Sequence, residues 1–172
     1  ELEERMCVRP TSETLFANIM QMQLQNEAFF ESAASEYSDD TKCIVLYDRG
    51  LIDGNAYIND EGFNYLLQLN NLSRIEALDR YDMVLHLVTA ADGAEKHYTL
   101  NNNGARTETI EEARQKDRRT MEVWSEHSNL HIIDNSTEFI EKINRVINSI
   151  AYIIGNNLRT RVQRKYLVDI SK

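Results

Sequence analysis

An α/β fold built on a parallel sheet covered by helices is what this sequence predicts, and three observations predict it. Short runs of apolar β-formers alternate with stretches whose apolar residues recur at helical spacing, in the order strand, helix, strand, helix, strand, helix. The run CIVLY at 43–47 is apolar throughout instead of alternating, which marks a strand covered on both faces. That run ends on Asp48, Arg49 and Gly50. Ligands collect at the carboxyl ends of strands in open parallel sheets, and an acid, a guanidinium and a glycine placed there suit a phosphate group.

Composition sets the class. With 172 residues, 42% of them hydrophobic and 27% charged, the chain is one globular domain with material for a real core, which excludes a disordered or fibrous protein. Lys and Arg number 19 against 28 Asp and Glu, and the net charge of -9 argues against nucleic acid as a partner. A bound phosphate must then meet a local basic cluster. Two cysteines, Cys7 and Cys43, make no disulfide framework, so a reducing, cytoplasmic setting is expected, with Cys43 opening a core strand. No apolar run reaches the ~20 residues of a membrane helix, and no transmembrane segment is expected. No GxxxxGK[ST] occurs, so the loop that cradles phosphates is not among these residues. As the chain starts at Glu1 and not at a methionine, that loop is expected upstream.

The elements follow in order. After Pro10, Thr11 or Ser12 caps a long helix whose Leu15, Phe16, Ile19, Met20, Leu24, Phe30 and Ala34 recur at roughly helical spacing, ending near Ser38. The strand at 43–47 and the DRG turn come next. Tyr57, Phe63, Leu66, Leu67 and Leu69, interrupted at 59–62, fit two short helices. Ser73 with Glu76, and later Thr109 with Glu112, stand at capping-box spacing and open two more helices, the second running to about Trp124. Between them lie a buried strand at 83–88 and a loop rich in Gly and Asn that carries Lys96 and Arg106. A third strand at 130–133 ends in Asp134, Asn135, Ser136 and Thr137, which turn the chain and cap the last helix. Phe139, Ile143, Val146, Ile150 and Ile153 are its buried stripe, and 155–157 supply its stop. Parallel pairing needs crossovers between strands, which are right-handed.

DRGLIDGNAY, HLVTAADGAEKHYTLNNNGARTETIEEAR and IIDNSTEF together resemble the P-loop kinase-like, AAA-type domain of the NadR and TRPL-translocation-defect protein family, most closely its translocation-defect branch. The resemblance covers roughly 41–154. It implies a P-loop NTPase fold of the nucleoside-kinase-like kind, a three-layer parallel sheet whose first strand and Walker A loop are absent from this chain. It also implies ATP or GTP with Mg²⁺. Residues 1–157 form that domain in this reading, and 158–172 are a linker and the first strand of a CYTH-like domain. RVQRKYLV at 161–168 is similar to its opening strand, with Arg161 and Gln163 at the acidic positions of the ExExK pattern and Lys165 retained. The branch suggests a second function class, a GTP-regulated adaptor of membrane protein trafficking. Its partners would be anionic phospholipid and trafficking proteins, and its location peripheral to membranes.

The candidate site residues follow from phosphoryl-transfer chemistry. Asp48 either accepts the proton of an attacking hydroxyl or holds Mg²⁺ through water; as a plain residue it caps the turn. Arg49 clamps an acceptor phosphate or transition-state charge, or else pairs with Asp53 or Asp48 and shapes the turn. The resemblance implies a lid that brings arginines over the transferred phosphate, for which Arg106 is the first candidate and Arg114 the second, with Lys96 near the nucleotide. Lys116 and Arg119 read as a solvated helix face, with Glu112 and Lys116, and Glu111 and Arg114, as helical pairs. Asp117 interrupts an apolar stripe, so an arginine partner is expected for it. By resemblance the base lies at the end of the third strand, beside Asp134, Asn135, Ser136 and Thr137, of which capping alone accounts for at least two. His86 reads as a satisfied core histidine. His97, His127 and His131 lack metal-ligand spacing.

Overall fold

The computed structural model describes residues 12–37, 43–98 and 108–155. Arg106 and the proposed CYTH-like start at 158–172 lie outside them. The order is α1 (Ser12–Ser35), a 3-10 helix (Leu51–Ala56), α2 (Asp60–Leu69), α3 (Arg74–Leu78), β1 (Val84–Leu87), a single 3-10 turn (Glu95–His97), α4 (Ile110–Trp124), β2 (Leu130–Ile133) and α5 (Phe139–Gly155).

The core forms where helices meet the 3-10 helix. Phe63, Leu66 and Leu67 share one face of α2 at i, i+3 and i+4, and they pack with Met20 of α1, Leu51 and Ile52, Ala77 and Leu78 of α3, and Val123 and Trp124 of α4. Burying Phe63 or Ile52 completely contributes roughly 1.5–3 kcal/mol each. Polar atoms start the helices as the sequence predicts. Both Ser73 with Glu76 and Thr109 with Glu112 close reciprocal capping boxes, and Asn59, which the sequence reading did not single out as a cap, accepts the Gly62 amide at 2.8 Å.

β1 and β2 pair in parallel, with Val84 opposite Leu130 and Leu87 opposite Ile133, and α4 lies in the crossover between them. This agrees with parallel α/β pairing, in a sheet of two strands among the described residues. Residues 43–47 differ from expectation. They are extended but carry no strand pairing, and burial alternates: Val45 and Tyr47 are half-buried, whereas Ile44 is 47% and Leu46 73% exposed. Cys43 is exposed, not in the core. An apolar run is buried on both faces only when a neighbouring strand holds it in the sheet, and among the described residues no backbone bond does so here.

α5 departs in the same direction. Its stripe residues Ile143, Val146, Ile150 and Ile153 are half-buried, Phe139 is 68% exposed, and Lys142 is its one fully buried side chain. Val146, Ile150 and Ile153 line a groove shared with 43–47 and β1, which explains why their apolar face is incompletely covered. No helix among the described residues is long and apolar enough to cross a membrane.

Candidate functional site

The turn after 43–47 presents the acid and the arginine differently. Asp48 is exposed and makes no hydrogen bond or ion pair among the described residues, so both carboxylate oxygens are open to a ligand. Arg49 adopts φ +80°, a left-handed conformation that non-glycine residues rarely hold. Its guanidinium stands 3.4 Å from Asp53, with most of the side chain exposed. Asp53 also accepts the Gly50 amide at 2.6 Å, closing the turn that opens the 3-10 helix. The pairing of Arg49 with Asp53 is thus observed, and it is loose enough to leave the guanidinium open to solvent.

At the carboxyl ends of β1 and β2 the side chains are largely committed to one another. Asn135 donates to the carbonyls of Thr89 (2.8 Å) and Asp92 (2.6 Å), and its oxygen accepts from Lys142 at 2.6 Å. Lys142 also donates to the Val88 carbonyl at 2.7 Å, and burial pulls its ammonium below the usual lysine range. Asn135 therefore clasps the loop after β1 to the end of β2. Asp134 accepts from the Ser136 hydroxyl at 2.6 Å and from Arg145 at 2.7 Å; Ser136 first and Arg145 second hold its carboxyl down to about 2. Lys96 is exposed, 3.6 Å from Glu138 at the start of α5. Arg114 donates to the Ala91 carbonyl (2.7 Å) and to Glu95 (2.5 Å), which ties the loop at 91–95 to α4.

A model described as an AAA domain matches residues 5–142, most of the chain. The chain belongs to this AAA-domain family. No curated protein and no solved structure matches it. A P-loop-type AAA domain binds nucleotide together with Mg²⁺.

In this AAA domain, a groove of about 1020 Å³ runs beside β1 and reaches the Asp48–Arg49 turn; Asp134, Asn135 and Ser136 do not line it. Asp48, Arg49 and Asp53 line it together with Lys116, Asp117 and Thr89. Lys116 pairs with Glu108 and not with Glu112, because Glu112 is engaged in the capping box. Asp117 takes the Thr89 amide at 3.1 Å and stands 3.4 Å from His86. Its expected arginine partner is replaced by a backbone amide and an imidazole; His86 is buried as expected but not satisfied, since among the described residues its Nε2 has only this contact and no hydrogen bond.

Sequence reasoning missed Glu27, Arg80 and Tyr81, which support the Asp48–Arg49 turn from below. Glu27 is 1% exposed and bonded to Arg80 and Tyr81 at 2.6 Å each. Burial, then the hydrogen bond to Glu27, drives the Tyr81 phenol well above its ordinary range, so it remains a donor. A signal was present: position 27 continues the stripe of Phe16, Met20 and Leu24 on α1, where an acid needs a buried partner.

Proposed function

We propose that this AAA domain binds Mg²⁺–ATP or Mg²⁺–GTP at the carboxyl end of its sheet and, in the intact protein, transfers the terminal phosphoryl group to a small acceptor or to water. The observation that carries this reading is the pairing of an unengaged carboxylate, Asp48, with a solvent-facing guanidinium, Arg49, on a left-handed turn at the groove. Backbone strain of this kind clusters where a side chain must be aimed.

The groove supports the finer, nucleoside-kinase-like reading. Among the described residues one edge of β1 is unpaired and 43–47 lie extended without a strand partner, and α5 offers an apolar stripe. A central strand carrying a phosphate loop fits between them, completes a three-layer parallel sheet, and delivers its loop beside Asp48. Such a loop supplies backbone amides and a lysine for the β- and γ-phosphates.

Asp48 fits Mg²⁺, which prefers one or two carboxylates plus waters and phosphate oxygens over an all-protein cage; no cluster of three or more ligating side chains occurs among the described residues. When bound, Mg²⁺ neutralises phosphate charge. Arg49 then contacts the acceptor or transferred phosphate, and Arg114 anchors the base of the loop that carries Arg106, the lid arginine of this reading. Asp134 and Ser136 border the nucleotide base, with Lys96 nearby and Asn135 holding the two strand ends in register. The basic residues that favour a phospholipid-regulated trafficking role fall at 159–165, outside the described residues, whereas the Asp48–Arg49 turn at the groove favours the catalytic reading.

The test is turnover of ATP and GTP by the intact protein and its variants. Asp48→Asn keeps the turn's shape and is expected to lower turnover by ~10²-fold or more, the usual cost of removing a positioned acid–base group. The 172-residue chain by itself, with no GxxxxGK[ST], is expected to show none. Wild-type turnover in Asp48→Asn would remove Asp48 from the chemistry.

A further inference from the structure

Glu27 occupies a position where α1 otherwise presents apolar residues to the core, and it is 1% exposed. A carboxylate this deep persists only where its oxygens meet donors. Three reach it: Arg80 Nε at 2.6 Å, the Tyr81 hydroxyl at 2.6 Å and Gln23 Nε2 at 3.0 Å. Two of these donors continue to the turn. The Gln23 amide gives a second hydrogen to the Arg49 carbonyl at 2.9 Å. The Tyr81 hydroxyl accepts the Leu51 amide at 2.6 Å.

Direction follows from proton counting. A carboxylate only accepts, so the single Tyr81 proton goes to Glu27 and a lone pair is left for the Leu51 N–H. The same holds at Gln23, whose two hydrogens divide between Glu27 and Arg49. Glu27 therefore sets the orientation of both groups that grip the backbone on either side of Gly50. Immediately before the first grip lies the φ +80° of Arg49, a conformation that persists only where its surroundings over-determine it. The Tyr47 hydroxyl adds a bond to the Glu27 carbonyl at 3.3 Å, on the strand side of the same turn.

We propose that Glu27 is a positioning residue: through Gln23 and Tyr81 it holds the backbone of residues 49–51 so that Asp48 and Arg49 face the phosphates. The assignment of those phosphates rests on the function proposed above; the holding of the turn does not.

Amide hydrogen exchange separates the two. In Glu27→Gln, exchange at Leu51 is expected to rise roughly 3- to 10-fold, the loss of about one net hydrogen bond, while Val123 in the core keeps its protection. Gln23→Ala leaves the Glu27–Arg80 pair in place and serves if Glu27→Gln fails to fold; it is expected to loosen Gly50 and Leu51 likewise. Wild-type exchange at both amides in the folded variants overturns the proposal.

Turnover of the intact protein supplies the second arm. Gln23→Ala is expected to lower it, and to lower it by less in an Arg49→Ala background, where one of the two side chains aimed by the turn is already gone. If Asp48→Asn and Arg49→Ala lose turnover while Gln23→Ala does not, Glu27 has no positioning role. If Asp48→Asn and Arg49→Ala are also without effect, the nucleotide reading falls, and exchange at Leu51 still decides whether Glu27 holds the turn.

Discussion

Gly50 has no room for a side chain: an added Cβ would stand 2.7 Å from Trp124 Cζ2 and 3.1 Å from Tyr81 Cζ. Both rings are locked, Trp124 in the core and Tyr81 against it at 5.3 Å between centroids. Gly50→Ala is expected to destabilise the domain by about 1–3 kcal/mol, as overpacking of a filled core does, measured by urea unfolding. Asp134 makes a different prediction. Its carboxyl is held at about 2, below the ordinary 3.8, by Ser136 first and Arg145 next. A depressed carboxylate stabilises above its unfolded pKa, and that contribution fades as pH falls from about 3.8 through about 2. A carbon NMR titration of the Asp134 carboxyl should find its midpoint near 2, and Ser136→Ala should move it upward; a Ser136→Ala midpoint equal to wild type would contradict the assignment. Asp48 and Arg49 were legible because they are adjacent in the chain. The commitments of Asn135 were not, because its partners Thr89, Asp92 and Lys142 come from other elements.

Helix starts were the most legible elements, since a capping box is written within four residues. Thr109 and Glu112 bond reciprocally at 2.7 and 3.2 Å at the head of α4, so Thr109→Ala should cost ~1 kcal/mol in a thermal or chemical melt. Arg114, one turn later, ties α4 to the loop at 91–95. Arg114→Ala is expected to speed limited proteolysis in that loop before the domain melts; an unchanged cleavage pattern would mean that the ties to Ala91 and Glu95 carry no load. Strand 43–47 was the element least legible. Its residues have the composition of a buried strand, but strand pairing depends on a neighbour that local pattern does not contain, and here Ile44 and Leu46 are exposed. Lys116 shows the same limit on a helix: i,i+4 spacing offered Glu112, and the fold brought Glu108.

At the scale of the molecule, the packed core of helices and the 3-10 helix lies beside a sheet of two strands among the described residues, and the groove between 43–47, β1 and α5 leaves apolar surface from all three facing one space. Alternation of strands and helices made the parallel pairing readable, because consecutive parallel strands require a crossover such as α4. The size of the sheet was not readable, since it depends on which edges find partners. In the proposed function Asp48, which lines this groove, holds the Mg²⁺ that accompanies the nucleotide. Calorimetric titration of the intact protein with ATP and with GTP, in Mg²⁺ and in EDTA, for wild type and Asp48→Asn, tests it most directly. Wild-type affinity for the preferred nucleotide should fall when Mg²⁺ is removed, and Asp48→Asn in Mg²⁺ should bind as weakly as wild type in EDTA. An Asp48→Asn variant that retains the full Mg²⁺-dependent gain in affinity would contradict it.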